Sequence, residues 1–415
     1  MQKRFILLFS LLCSVRYLQA QSLSGQIRDS ATHQPIVEAS VYFPQLQLGA
    51  VTELNGHYQI APLPRGTYEV EVRSLGHSTL TKRITIKGQV ILNVSMTASS
   101  NALKQVVVTA LGNVTTIKRS PMPVTLVTHN MMLQKTSTTV IDAIASQPGV
   151  NETSEGPGTT KPQINGLGFN RVLTLMDGIP QEDFQWGDDH GILIDPYAVH
   201  SAEIIRGPAS LQYGASAEAG VISFKSGPFA EKGTIQGSVL SEYQTNNGYI
   251  GNSINIKGND NGFVWKLRGS SEEAHSYWNP KDGYVWGSAW HQENARAVFG
   301  LIKSWGYSRL TLSALHRRIQ VPDGNRDSTR FMFDTPQNGK LYPEKSDFLS
   351  YNADIAGDKN LYEYQAWWQN NIVVGNGSIG ANIGYTRSVH HDIDTGIVGE
   401  NNMAVNDLPF SLKYQ

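Results

Sequence analysis

Residues 204–224 read IIRGPASLQYGASAEAGVISF. Three glycines, a proline and many small residues lie between two apolar, strand-like ends. A Gly-rich loop after a strand can cradle phosphate, so nucleotide binding is the first reading to test. It fails on spacing. A phosphate loop needs G-x-x-x-x-G-K-[ST], in which the Lys meets phosphate charge and the hydroxyl meets magnesium. Here Gly214 and Gly220 are followed by Val221 and Ile222, and no Lys comes before Lys225. The dinucleotide pattern G-x-G-x-x-G is absent from the stretch as well. What remains is a segment whose small side chains let backbones approach closely and turn tightly. It is a compact packing element, and the rest of the chain must show what it packs into.

The chain has 415 residues, room for two or more domains. Lys plus Arg number 34 and Asp plus Glu 35, which removes any bulk electrostatic case for nucleic acid. Charged residues are 17%, below the roughly 25% of an average soluble chain. With 39 Gly, 8 Trp and 17 Tyr, the composition suits an all-β protein rich in turns and interfacial aromatics. Residues 1–20 read as a secretory signal: Lys3 and Arg4 precede an apolar run from Phe5 to Val15, and small Ala20 ends it. Cys13 lies inside that run and is the chain's one Cys. Cleavage after Ala20 leaves a chain held together by packing and sheet hydrogen bonds rather than disulfides. No later stretch offers about 18 uninterrupted apolar residues, so a helical membrane span is excluded. A β-barrel span needs only alternation over about 10 residues and stays open.

Four units follow the leader. Residues 22–97 are short alternating strands broken by Asn55-Gly56, Pro64-Arg65-Gly66 and Lys87-Gly88, which predicts a small β-sandwich. Its pieces G-x-I-x-D, P-I-x-x-A-x-V, T-x-x-N-G-x-Y and L-P-x-G-x-Y resemble the carboxypeptidase regulatory-like domain, a folded appendage without catalysis. Residues 98–120 read as a linker with one β-branched island, QVVVTA, extended by propensity and without an obvious partner inside the linker. The island is either a stray edge strand or a peptide that adds itself to another protein's sheet. Residues 121–226 mix strands with one short helix, whose apolar spacing is Val140, Ile141, Ile144 and Ala145. Ser137, Thr138 and Thr139 are its N-cap candidates, and Pro148-Gly149 stops it.

Residues 227–415 form the last unit, and the period changes over 232–391. Seven segments of alternating polarity run over roughly 233–243, 249–257, 262–273, 294–303, 306–319, 362–373 and 378–391, or eight counting the last residues. GNDNG, SWG and GNG are tight turns, whereas 274–293 and 320–361 are long, aromatic and polar; of the long-side connections only the first, QTNN, is short. Short turns on one side and long loops on the other is the pattern of outer-membrane barrels. A soluble meander alternates in polarity too but gives the loops no reason to alternate in length.

The opening stretch, extended to VHSAEIIRGPASLQYGASAEAGVISF, resembles the end of the plug domain of TonB-dependent outer-membrane receptors. NRVLTLMDGIP and WGDDHGILIDP carry the same resemblance, and the order of leader, regulatory-like domain, TonB box, plug and barrel fits it. The resemblance implies a mainly β protein: small β-sandwich, α/β plug domain, then the first strands of an antiparallel transmembrane β-barrel. It implies that Gln105, Val106, Val107, Val108, Thr109 and Ala110 (within 104–110) form the TonB box, of which Val106, Val107, Val108 and Thr109 pair with the partner's sheet edge. The glycines then serve packing of a plug inside a lumen, with Gly178, Gly207, Pro208, Tyr213, Gly214 and Gly220 as plug structural positions. One departure stands out. Plug-filled transporters have about 22 strands, so the chain is expected to be the N-terminal part of a receptor.

Four clusters carry candidate chemistry. Trp186, Asp188, Asp189 and His190 combine ligand types for a metal, but a motif shared by receptors of different ligands cannot specify one, and they stand as ligand-contact candidates. His200 and Glu203 fit H-x-x-E; in a strand, positions three apart face opposite sides, so no peptidase site is expected. His390, His391 and Asp392 close the seventh segment on its outward-running end, and the two histidines are further ligand-contact candidates. Arg171, Asp177, Glu203 and Arg206 are charges on otherwise apolar plug strands. Some of them must pair with barrel-wall charges, since unpaired buried charge is expensive.

By that resemblance the protein sits in the Gram-negative outer membrane, with its regulatory-like domain in the periplasm. It takes up a small extracellular ligand such as an iron–siderophore complex, haem or a metal, with TonB as partner, no cofactor and no enzymatic step. The alternatives are a glycan importer of the starch-utilisation type, a ligand-binding sensor and a non-transporting remnant. R-G-P-A-S at 206–210, where glycan importers usually carry K-D-A-S-A, favours the iron, haem or metal class.

Overall fold

The computed structural model describes residues 21–74, 76–98, 107–108, 115–116, 124–135, 137–154, 156–181, 191–207, 213, 215–320, 322, 326, 328–329, 345–351, 358–374, 377–392 and 401–414. The first unit is a sandwich of two four-stranded sheets. One holds β1 (Ser22–Asp29), β4 (His57–Ile60), β7 (Gln89–Ile91) and β8 (Val94–Met96), ordered β4-β1-β7 with β8 also beside β1. The other runs β3 (Leu48–Val51), β2 (Ser40–Phe43), β5 (Gly66–Arg73), β6 (Leu80–Ile86). Period-2 alternation sends Leu23, Ile27, Val41, Phe43, Val70 and Val72 inward, and all six are fully buried between the sheets.

Past the sandwich, β9 (Val107–Val108) pairs antiparallel with β10 (Thr115–Thr116). The β-branched island therefore does have a partner within the linker, contrary to the sequence reading. The partner is a second β-branched pair, and such residues favour extended backbone on both sides of a turn.

The plug sheet is ordered β11 (Val124–Thr128), β16 (Ser201–Ile205), β17 (Gly220–Lys225), β14 (Val172–Met176), β15 (Ile179–Pro180). Between β11 and β14 lie a short helix, Val140–Ala145, and a hairpin of β12 (Val150–Ser154) with β13 (Thr160–Ile164). Thr139 is the N-cap, its hydroxyl accepting from the Asp142 N–H at 3.2 Å. The opening stretch now explains itself. Gly207 turns the chain out of β16 at φ +80°. At Gly220 a Cβ would stand 2.6 Å from the Ile205 oxygen and 2.8 Å from Ile164 Cδ1, so only glycine lets β17 seat against β16.

The last unit is one antiparallel sheet: β18 (Thr234–Gln244), β19 (Tyr249–Asp260), β20 (Phe263–Ala274), β23 (Trp290–Lys303), β24 (Gly306–Gln320), β25 (Asp358–Val374), β26 (Gly377–Asp392) and β27 (Asn401–Asp407), with β28 (Phe410–Tyr414) also on β26. A small hairpin of β21 (Trp278–Asn279) and β22 (Gly283–Tyr284) sits between β20 and β23. All seven expected segments are strands. The last residues add two short ones rather than one, and both pair with β26 because each is too short to span its length.

The burial of this sheet is inverted relative to a water-soluble protein. On one face Ile235, Val239, Ile254, Leu267, Leu310 and Trp368 are exposed. On the other Lys266, Glu272, Gln292, Arg309, Arg317 and Glu363 are buried. The polar face is buried because the plug and part of the sandwich lie against it.

Candidate site at the plug–wall contact

Asp177 anchors the contact. The β14–β15 turn places it at φ 53°, a left-handed conformation that Asp tolerates, and Gly178 follows at φ 83°. Its Oδ2 lies 3.2 Å from Arg296 Nη2 on β23, and both side chains are mostly buried. Its Oδ1 accepts from the Ser226 N–H at 2.9 Å and from Gln47 Nε2 of the sandwich at 3.2 Å. Gln369 Nε2 on β25 donates to the Asp177 carbonyl at 3.3 Å. Burial pushes this carboxyl's pKa up, but the Arg296 and Lys266 charges and the Ser226 N–H outweigh it, holding it below the ordinary range. One carboxylate thus ties plug, wall and sandwich together.

A second anchor lies towards the long-loop end. Arg317 on β24 donates through Nη1 to the Gly158 carbonyl at 2.8 Å and the Ile192 carbonyl at 3.1 Å. Both acceptors are plug loop backbone. Tyr197 and Tyr249 hydroxyls meet at 2.9 Å across the same boundary, and Leu193 packs with Tyr249, Trp290, Leu315 and Ile319. Sequence reasoning missed Lys266, Arg296, Arg309 and Arg317. The signal was available: cations at inward parity on consecutive strands mark the wall that faces a filled lumen.

The other plug charges behave differently. Arg171 faces Glu218 at 3.8 Å, both largely exposed, a pair of little energetic weight. Arg206 donates to Thr125 Oγ1 at 3.1 Å and to the Pro148 carbonyl at 2.6 Å. Glu203 is buried near Tyr213, whose phenol is pushed up first by burial and then by that carboxylate. Lys413 of β28 lies 5.8 Å over the Tyr213 ring, a further plug–wall contact. Asp177 forms an ion pair with the wall, whereas the contacts found for Arg171 and Arg206 stay within the plug.

His390 and His391 do not act together. Successive strand residues point to opposite faces. His390 is wholly buried on the inner face, while His391 turns outward, bonded to Asn402 and edge-on to Tyr362 at 6.0 Å. The His390–His391–Asp392 cluster therefore cannot present both imidazoles to one ligand. His200 stacks on His129 at 5.3 Å. Trp186, Asp188, Asp189 and His190 lie outside the described residues, as do Gln105, Val106, Thr109, Ala110, Pro208 and Gly214. Among the described residues no group of three or more His, Cys, Asp or Glu could hold a metal ion.

A sheet with an apolar outer face and a charged inner face, closed on an α/β insert, defines the class of plugged barrel walls. The family model "TonB-dependent Receptor Plug Domain" matches residues 116–221, and "CarboxypepD_reg-like domain" matches 23–108. A hemin receptor of Yersinia pestis is 40% identical over 126 residues, 29% of this chain and 18% of that protein. An iron-regulated outer membrane virulence protein of Vibrio cholerae is 36% identical over 124 residues, 28% of this chain and 19% of its own length. The solved FrpB iron transporter of Neisseria meningitidis shares the fold at a TM-score of 0.54 and 14% identity, over 70% of this chain and 45% of that one. The chain thus spans about a fifth of the length of these two curated relatives. The chain carries the plug domain of TonB-dependent receptors, with a carboxypeptidase regulatory-like domain ahead of it. That family is not enzymatic, and its members are outer-membrane proteins.

Proposed function

We propose that the protein binds a scarce nutrient at the cell surface and imports it across the outer membrane, with haem or an iron complex as the cargo. The observation that carries this reading is the inverted sheet. Its apolar face is fit for lipid, and its charged face grips a plug through Asp177–Arg296 and Arg317. The cargo class follows the hemin receptor and the iron-regulated protein to which the plug region is similar. R-G-P-A-S at 206–210 supports the same class over a glycan importer; the regulatory-like domain alone favours the glycan reading.

In this account residues 1–20 are the leader, 22–97 the regulatory-like sandwich in the periplasm, 98–120 the linker, 121–226 the plug and 227–415 barrel wall. Gln105–Ala110 is the TonB box. TonB captures it by strand addition and draws on it, using the inner membrane's proton gradient, and the plug shifts to open a path. The extended Val107–Val108 pair supports strand exchange: its hydrogen bonds to Thr115–Thr116 can be traded for bonds to another sheet edge.

The test uses hemin as sole iron source for a Gram-negative host lacking its own haem receptor. Expression of a full-length receptor carrying this sequence as its N-terminal part should restore growth. Val107→Pro should abolish uptake and leave surface hemin binding intact. Binding and growth equal to the empty host would end the haem reading, and uptake undiminished by Val107→Pro would remove the TonB-box assignment.

A further inference from the structure

The sandwich does not hang free. Its core continues without a break into Phe229, Val264, Val298 and Ile302 of the plug–wall connection and the wall. Four hydrogen bonds cross the same boundary. Gln47 Nε2 reaches Asp177, and the Phe229 N–H donates to the Gln47 carbonyl at 3.0 Å. Arg309 Nη2 donates to the Leu46 carbonyl at 2.8 Å, and the Arg65 N–H to the Ser304 carbonyl at 3.1 Å. Ser304 lies in the tight turn between β23 and β24, so contact is made with the tight-turn end of the wall.

The outer face of the β3-β2-β5-β6 sheet gives the second line of argument. On β5, Glu69 and Glu71 alternate with core residues Val70 and Val72, so they point away from the sandwich interior. On a free domain such carboxylates would be wet. Here Glu69 is 6% and Glu71 1% exposed. Tyr42, on the same outer face of β2, lies within electrostatic reach of both Arg309 and Asp177. Glu71 is paired with Arg73 and Glu69 lies opposite Arg83 on β6, and this mixed-charge face meets a floor carrying Lys225, Lys266 and Arg309 around Asp177. Between them remains a vestibule of about 660 Å³, bounded by Arg65, Thr67 and Arg83 of the sandwich, Lys225 of the plug, and Arg309 and Asn371 of the wall.

We propose that the regulatory-like sandwich is a lid docked across the plug floor, latched by Gln47 on Asp177 and closing the vestibule. It must swing away before the plug can shift, a consequence that rests on the transport reading, whereas the docking itself does not. The covalent connection from lid to plug is the linker that carries Val107–Val108, so whatever engages that segment stands where it can unlatch the lid.

Two measurements test the docking, and neither needs a cargo. In a Cys13→Ser background, Arg65→Cys with Ser304→Cys places thiols on residues already joined by a backbone hydrogen bond, within disulfide reach. Non-reducing gels of outer membranes should show this pair largely oxidised. A control pair, Ile91→Cys with Ser304→Cys, uses an exposed position on the sandwich's other sheet and should stay at least tenfold less oxidised. No disulfide in the first pair, or equal oxidation in both, overturns the lid. Hydrogen exchange supplies the second measurement. Glu69→Lys with Glu71→Lys sets cations against Lys225, Lys266 and Arg309. The Phe229 and Arg65 amides should then exchange at least tenfold faster while Val41 and Val72 are unchanged. Unaltered exchange at Phe229 and Arg65 also overturns the lid; if the sandwich itself loosens, the disulfide pairs decide.

Discussion

Asp177 shows what a single side chain must do when a plug is held in a lumen. Its carboxylate answers Arg296, sits in the field of Lys266 and accepts from Gln47 and Ser226. Asp177→Ala strands those cations in a dry interface and should cost about 3–5 kcal/mol of plug stability, read from denaturant unfolding in detergent. The pH dependence has a definite sign. A folded-state pKa below the unfolded value means that Asp177 stabilises the fold above pH ~4, with the contribution lost as pH falls below that towards the folded value. Asp177→Asn should flatten that acid limb. Gly220 is the other decisive residue. Gly220→Ala forces a Cβ against the Ile205 oxygen and should destabilise the plug by more than about 1 kcal/mol, seen as faster hydrogen exchange across β16 and β17.

At the scale of elements, alternation is the controlling variable. It makes the wall two-faced, and it splits His390 from His391. Leu267→Arg on the exposed apolar face should cost about 2–4 kcal/mol if that position lies near mid-bilayer, measured by unfolding in lipid vesicles against the same change in detergent. The strands, the Thr139-capped helix and the tight-turn, long-loop rhythm were legible because each is written in local pattern: period two, a hydroxyl before an apolar face, Gly-rich breaks. The Asp177–Arg296 pair was not, because its members are 119 residues apart and nothing local at Asp177 names its partner. The pairing of Val107–Val108 with Thr115–Thr116 was missed for another reason. Two rungs leave no periodicity to read, and the pairing rests on the turn between them.

The whole molecule is a nested arrangement in which the plug is gripped from the wall and capped by the sandwich. Asp177 and Arg317 hold it at two levels, one near the sandwich and one near the long loops. Growth on hemin with Val107→Pro as the comparison tests the arrangement as a machine, since only the step that engages the linker should fail. The edge position of β11 bears on how such a machine opens. Val124 opens β11, the first described strand of the plug sheet, and within that sheet β11 is an edge strand hydrogen-bonded to β16, through five successive residue pairs from Val124–Ile205 to Thr128–Ser201. A tug delivered at Val124 meets those rungs in series, as tape lifts from one end, rather than all at once. The resisting load at any moment is then that of a rung or two, each worth about 1 kcal/mol. What is left behind is still a four-stranded sheet, ready to take the strand back when the tension stops.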